Sequence, residues 1–443
     1  MAEELKVEII GREIIKPSSP TPSHLKIFNL SCLDRIMVGV YTSLVLFYPN
    51  NNNILTSDKI SNHLKKSLSE ALTLFYPLAG KIKDNTVIEC QDDGATYVEA
   101  KFNGLLSSFL DQDHKDEALI GRFLPAAMES PEAGTWPLLL VQATHFDCGG
   151  VAIGVCMSHK VGDAATLSIF LKTWAGNGIP DFEAASYYRS GDTFSYAPPA
   201  SSVVAERAEH GVVKRCLFDK PKIAALKAKF ASDSVKQPTR VEVVTALILR
   251  CLVEANSRST SATPVKPRYS LMTQAVNLRK RLEPPLPNNS VGNFVGLSAL
   301  QVENDIYNET SIEALECQLQ DLVAKLRQGL KDFAQNKAER FRGDEADGLQ
   351  AVVESFREVE LFTRVGAEWI AFSSWCNFGF YEVDLGLGKP SSVTIPSYTY
   401  ENLIYLMDTR DGDGVEIVLT LSKENVALFE NRLQEILSLV SLN

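Results

Sequence analysis

The sequence lacks the features that mark several large protein classes. None of its 443 residues falls in an unbroken apolar stretch of about 18, so no segment reads as a membrane-spanning helix. The opening Met1-Ala2-Glu3-Glu4-Leu5-Lys6 is charged and has no apolar signal core. Long basic runs are absent, and 44 Lys and Arg against 55 Asp and Glu give a net charge of −11. That balance disfavours nucleic acid and anionic membranes as partners. No Cys-x-x-Cys occurs; the eight cysteines (32, 90, 148, 156, 216, 251, 317, 376) are scattered, several in apolar runs, as reduced core thiols are. The six histidines (24, 63, 114, 145, 159, 210) stop at 210, so a zinc site in the second half would need other ligands at spacings the chain does not have. Gly-x-Ser-x-Gly is missing, which excludes a nucleophile elbow, and Gly388-Lys389-Pro390 fails the phosphate-binding loop. Asp411-Gly412-Asp413-Gly414 reads as a turn rather than a calcium loop. We expect a soluble, cytoplasmic, metal-free monomer.

One stretch organises what is present, Ser158-His159-Lys160-Val161-Gly162-Asp163-Ala164-Ala165-Thr166. Leu138 to Thr144 and Val151 to Met157 are short apolar runs around the turn signal Asp147-Cys148-Gly149-Gly150, a buried hairpin. Downstream, Leu167, Phe170, Leu171 and Trp174 recur at helical spacing, so a helix starts near Asp163. The pattern sets an imidazole at the end of a buried strand before a helix. Taken alone, Asp163 reads equally well as the helix N-cap and His159 as a polar strand end.

By length the chain holds about two to three domains. Lys16 to Pro22 is extended through its prolines, Leu44 to Tyr48 a strand, and Thr56 or Ser57 caps a helix bearing Ile60, Leu64, Leu68, Leu72 and Phe75. Val87 to Cys90 and Thr96 to Lys101 add strands before the hairpin. Residues 176–212 are rich in Gly, Pro and Ser without period, the best candidate linker. Beyond it come a strand (Val212 to Phe218), helices (Pro221 to Phe230, Thr239 to Glu254) and a strand from Arg268 to Val276 ending in Asn277-Leu278-Arg279. Pro284 to Pro287 forms a rigid loop and Ser311 to Phe333 a long amphipathic helix. Strands at Glu368 to Trp375, Ser391 to Ile395, Asn402 to Asp408 and Gly414 to Leu421 precede a last helix capped by Ser422. The mixture in both halves argues for two α/β domains.

Tyr76-Pro77-Leu78-Ala79-Gly80-Lys81, Ser158 to Asp163, Ala275-Val276-Asn277-Leu278-Arg279, Ser373-Ser374-Trp375-Cys376 and Phe380 to Pro390 follow one another in that order. The series resembles the plant BAHD acyltransferases, over nearly the whole chain. Pro17 to Pro22 and Met407 to Glu416 resemble the alkaloid-acetylating branch most. The resemblance implies a chloramphenicol-acetyltransferase-like α/β fold of two domains, mixed sheets with flanking helices, and an active-site channel at the domain interface. It implies a first domain 1–195 completed by a returning segment near 385–405, a linker 196–212 and a second domain 213–443. Acetyl-CoA is implied as co-substrate with no permanently bound cofactor, and a small-molecule alcohol as acceptor.

Moving an acyl group from a thioester to a hydroxyl needs a base for the hydroxyl proton, and imidazole titrates near neutrality. By resemblance His159 is that base. Asp163 points away and pairs with Arg279, supporting the site, and Asp384, Gly386 and Gly388 form a structural second motif near the CoA channel. Leu385 and Leu387 stand where the family has Phe and Trp. The alternatives are a donor with a bulkier acyl group such as hydroxycinnamoyl, a terpenoid acceptor, and a non-catalytic binding protein on the same fold.

Overall fold

Apolar runs rich in branched residues fold as strands that neighbours cover on both faces. In the computed structural model, the described residues are 5–50, 55–111, 117–188, 211–258, 269–304, 311–337, 368–396 and 400–441, with 350, 354, 357 and 361 singly. The first half contributes β1 (Val7–Ile15), β2 (Ile27–Asn29), α1 (Cys32–Ile36), β3 (Tyr41–Tyr48), α2 (Ser57–Leu74), β4 (Lys81–Lys83), β5 (Val87–Glu89) and β6 (Ala95–Phe102). Then come α3 (Leu106–Leu110), α4 (Glu117–Arg122), β7 (Leu139–Phe146), β8 (Val151–Ser158) and α5 (Ala164–Trp174). The second half has β9 (Val212–Phe218), α6 (Lys220–Lys229), α7 (Arg240–Arg258), β10 (Tyr269–Asn277), β11 (Val295–Glu303) and α8 (Ile312–Asp332). It ends with β12 (Glu368–Ser374), β13 (Ser392–Thr394), β14 (Leu403–Asp408), β15 (Val415–Leu421) and α9 (Lys423–Ser441). No helix among the described residues is long and apolar enough to cross a membrane.

The chain divides into two units. The first comprises Met1–Pro198, Pro284–Phe294 and Phe378–Pro396; the second takes Pro199–Glu283, Val295–Asn377 and Ser397–Asn443. This corrects the expected boundaries. The expected second domain, 213–443, is interrupted twice; a stretch does return to the first unit, expected near 385–405 and found at Phe378–Pro396, and Pro284–Phe294 was not foreseen. The expected linker, 196–212, lies outside the described residues up to 210.

The first unit carries a sheet of order β1-β6-β7-β8-β3-β13, antiparallel except for the parallel β6–β7 pair. A small sheet, β2-β5-β4, lies apart from it. Every residue of β3, β7 and β8 is buried. Phe47, Phe102, Phe109, Phe123 and Phe146 pack one core on this sheet. The returning stretch is tied to the unit by the β13–β3 pair, by Ser168 Oγ donating to Phe378 O at 2.6 Å, and by Tyr48 Oη donating to Val383 O at 2.9 Å.

The second unit carries a sheet of order β11-β10-β12-β14-β15-β9, parallel at β10–β12 and β12–β14. Its core is built on α7, buried without interruption from Glu242 to Ala255, as a helix apolar on all sides must be. Arg250 is fully buried on that helix, and Glu254 pairs with it and also receives Arg258 at 2.6 Å and Arg432 at 2.9 Å.

One buried group of the first unit is at odds with its surroundings. His145 on β7 is 5% exposed, and neither ring nitrogen has a hydrogen-bond partner among the described residues. Burial holds its pKa below the usual histidine value, against Glu99 and Asp58, while Lys101 and Lys65 push the same way as burial. A histidine kept neutral in the fold binds no proton where the unfolded chain already does, so stability falls as pH drops below the ordinary value of 6.5. We expect the wild type to lose up to about 1.4 kcal/mol per pH unit more than His145→Leu over that range. Melting curves of both proteins between pH 7.5 and 5 check this; parallel pH dependences would rule it out.

Candidate active site

His159 follows directly on the last residue of β8, Ser158. Its backbone N–H donates to Val40 O at 2.8 Å, and the next turn closes by Val161 N–H on Ser158 O at 3.0 Å. Gly162 follows because a Cβ there would overlap the Thr166 side chain. Asp163 is the N-cap of α5, its Oδ1 accepting Thr166 N–H at 2.9 Å. Four residues therefore turn the chain from a buried strand into a helix, and the imidazole projects from the turn half-buried.

The unforeseen segment 284–294 completes this arrangement within the first unit. Asp181 accepts at its backbone O from Val291 N–H at 2.8 Å and donates its own N–H to Asn289 O at 2.9 Å. Thr166 Oγ1 donates to Gly292 O at 2.9 Å, and Asp163 Oδ2 accepts Phe294 N–H at 3.1 Å. The residue between, Asn293, is fully buried and sits 2.9 Å from His159 Nδ1 through its Oδ1. Its Nδ2 donates to His159 O and to Asp34 Oδ1, both at 2.8 Å.

The amide orientation follows from its neighbours. A carboxylate and a carbonyl only accept, so the Asn293 NH₂ group must face them and its oxygen must face the ring. An amide oxygen cannot donate, so the proton of neutral His159 belongs on Nδ1. Nε2 then keeps its lone pair, the state a general base requires.

Arg279 follows β10 in the second unit and is 2% exposed, its N–H donating to Asn277 Oδ1 at 3.0 Å and its Nη1 reaching the same oxygen at 3.4 Å. In the second motif Asp384 Oδ1 accepts three successive N–H groups, of Gly386 at 2.8 Å, Leu387 at 3.1 Å and Gly388 at 2.9 Å. Such a nest requires the left-handed backbone at Gly386 (φ +80°) and Gly388 (φ +82°). Gly386 also lies against His63, whose Nε2 meets Leu385 O at 3.0 Å. Leu385 is buried and Leu387 half-buried. Among the described residues no group of three or more His, Cys, Asp or Glu could hold a metal ion.

Sequence reasoning missed Asn293, Asp34 and Thr166. Ser31-x-x-Asp34 carries the residue pattern of a capping box, which it forms on α1, so it could have been found. Asn293 gave no signal, because an asparagine after glycine in a loop reads as a turn.

The first unit thus presents a strand-end histidine with its Nδ1 against a buried amide, in a chain whose two units each carry a mixed sheet and helices. Residues 5–436 match the Transferase family, and the chain belongs to it, among the plant BAHD acyltransferases. It is 34% identical to stemmadenine O-acetyltransferase of Catharanthus roseus over 96% of each chain. With limonoid 7-O-acetyltransferase of Citrus sinensis it shares 33% identity over 99% of each. The crystal structure of vinorine synthase superposes with a TM-score of 0.81 at 32% identity, covering 97% of this chain and 98% of that one. The chain is an acyltransferase.

Asp163→Ala removes the N-cap and the bond to Phe294 together, an expected loss of about 2–4 kcal/mol. Asp163→Asn keeps an oxygen for the cap and loses the second bond, so its melting temperature should lie between wild type and the alanine variant. An asparagine variant as stable as wild type would show that the Phe294 bond contributes nothing.

Proposed function

We propose that this chain transfers an acetyl group from acetyl-CoA to a hydroxyl of a small, alkaloid-type molecule. The observation that carries the reading is the free Nε2 of His159, enforced by the Asn293 contact at Nδ1. As the acceptor oxygen attacks the thioester carbonyl carbon, Nε2 takes the hydroxyl proton. The new C–O bond gives a tetrahedral oxyanion, which collapses by breaking the C–S bond. The departing thiolate then takes the proton from the imidazolium, and the base is restored. A thioester is already activated, so no acyl-enzyme is needed.

Support for the acetyl donor comes from the relatives named O-acetyltransferases. Their names divide over the acceptor, stemmadenine in one and a limonoid in the other, at nearly equal identity. A terpenoid alcohol is therefore the second reading. Incubation with acetyl-CoA and a pooled alkaloid and terpenoid alcohol extract tests both: a mass gain of one acetyl group on a member of one pool identifies the acceptor class. No gain in either pool, with a bulkier acyl-CoA accepted instead, would overturn the donor assignment.

His159→Ala should lower kcat by about 10²–10⁴-fold, because it removes the proton acceptor, and should lower the melting temperature modestly, because the buried Asn293 oxygen loses its ring partner. A variant retaining more than half of wild-type turnover would end the base assignment.

The departure at Leu387 bears on whether catalysis survives. Asp384 binds its three backbone N–H groups whatever the side chain at 387, and Leu387 is only half-buried. We expect wild type to turn over and Leu387→Trp to change kcat less than His159→Ala does. An inert wild type restored by Leu387→Trp would favour the binding-protein alternative.

A further inference from the structure

Asp34 lies on α1, far in sequence from the His159 turn, yet its carboxylate is 1% exposed and ends the hydrogen-bond chain that begins at the imidazole. Every group bonded to it is a donor. Ser31 N–H and Ser31 Oγ donate to Oδ2 at 3.0 and 2.6 Å, and Asn293 N–H and Nδ2 donate to Oδ1 at 2.9 and 2.8 Å. Ser31 Oγ also accepts Asp34 N–H at 3.1 Å, which closes the cap reciprocally. Three N–H donors and a hydroxyl around two oxygens suit the ionised form, which accepts at every site.

We propose that Asp34 is a positioning residue for His159, acting through the Asn293 amide. This rests on His159 being the general base. Nothing in a helix cap requires a buried charge to meet the next segment through an amide that also touches a catalytic ring. The arrangement has the logic of a histidine oriented by a carboxylate, with an amide inserted between them. Asp34 holds the Asn293 NH₂ group, which turns the amide oxygen to the ring, which fixes the proton on Nδ1. When Nε2 takes the hydroxyl proton the ring becomes a cation, and the Asp34 charge at the far end of the chain stabilises it through the polarised amide.

The other charged and titratable groups around Asp34 are few. Lys160 Nζ donates to Arg35 O at 2.9 Å and feels the Asp34 charge, though burial holds its own pKa down to about 8. Arg35 and the Cys32 thiol, pushed up to about 12, flank the carboxylate on its own helix. Burial raises Asp34 above the ordinary aspartate value, and the bonds from Ser31 and Asn293 oppose that rise.

Two measurements test the proposal. The first needs no substrate: ¹⁵N NMR of histidine-labelled wild-type protein, with His159→Gln assigning the resonance. Neutral His159 must carry its proton on Nδ1; a proton on Nε2 overturns the proposal whether or not the acetyl-transfer reading stands. The second is kinetic, with acetyl-CoA and a confirmed acceptor. Asp34→Asn should lower kcat about 10- to 10³-fold, leave KM within about threefold, and move the acid limb of kcat/KM about one unit lower, since a negative charge near the base is gone. With Asn293→Ala already in place, Asp34→Asn should lower kcat by no more than about twofold further. An unmoved acid limb, or losses that multiply, would leave Asp34 a structural cap and defeat the proposal. Should Asp34→Asn fail to fold, the wild-type NMR result decides alone.

Discussion

The site depends on a single buried side-chain amide with no freedom left. Asn293 has two N–H donors and one oxygen, and its surroundings use both ends: a carbonyl and a carboxylate take the donors, a ring nitrogen meets the oxygen. A buried polar group left unpaired costs about 1–3 kcal/mol, so a flip that set oxygen against oxygen at two places would be resisted strongly. That resistance is transmitted to His159 as a fixed tautomer. Local sequence could not supply such an amide, because a turn between a strand and a helix has no room for its own second support. The chain brings it from the loop after β10.

Asp163 acquires a clearer purpose in this light. A helix cap needs one carboxylate oxygen, and any of several residues could have served. The other oxygen holds Phe294, immediately after Asn293, while Thr166 holds Gly292, immediately before it. Residues 163 and 166 lie on the first turn of α5, and together they grip both neighbours of the amide. The spacing of four between histidine and aspartate thus joins two tasks: it ends the strand that carries His159 and starts the helix that fixes the amide its ring leans on.

The sequence revealed the strands of both cores, since apolar runs such as Leu139 to Phe146 and Val415 to Leu421 are buried on both faces and look so. It revealed α7 for the same reason. It did not reveal β1, an edge strand whose residues are mostly exposed on both faces and whose register shifts between Ile9 and Gly11. Periodicity reports burial, and a strand buried on neither face has none to report. The interleaving of 284–294 was hidden for a different reason. Its anchors are scattered hydrogen bonds to Asp163, Thr166, Asp181 and Asp34, and no local pattern encodes a partner more than a hundred residues away. His159 and the motif aspartates could be read from short patterns; Asn293 could not, because its role lies wholly in what surrounds it.

The second motif shows how far substitution can go before the chemistry is touched. What Asp384 holds is backbone: three N–H groups in a turn that two glycines make possible. Side chains at 385 and 387 can change without removing a donor from that nest, whereas a Cβ at 386 would both strain a left-handed residue and strike His63. The aspartate and glycines therefore carry the turn, and the residues between them carry packing. Leu385 fills a buried position and Leu387 a half-buried one, so leucine keeps both apolar while giving up aromatic volume. A volume change of that sort is felt as stability, and least where neighbours can close the gap. The setting of the His159 ring depends on a different set of contacts, those of Asn293, Asp163 and Asp34, and none of them passes through 385 or 387.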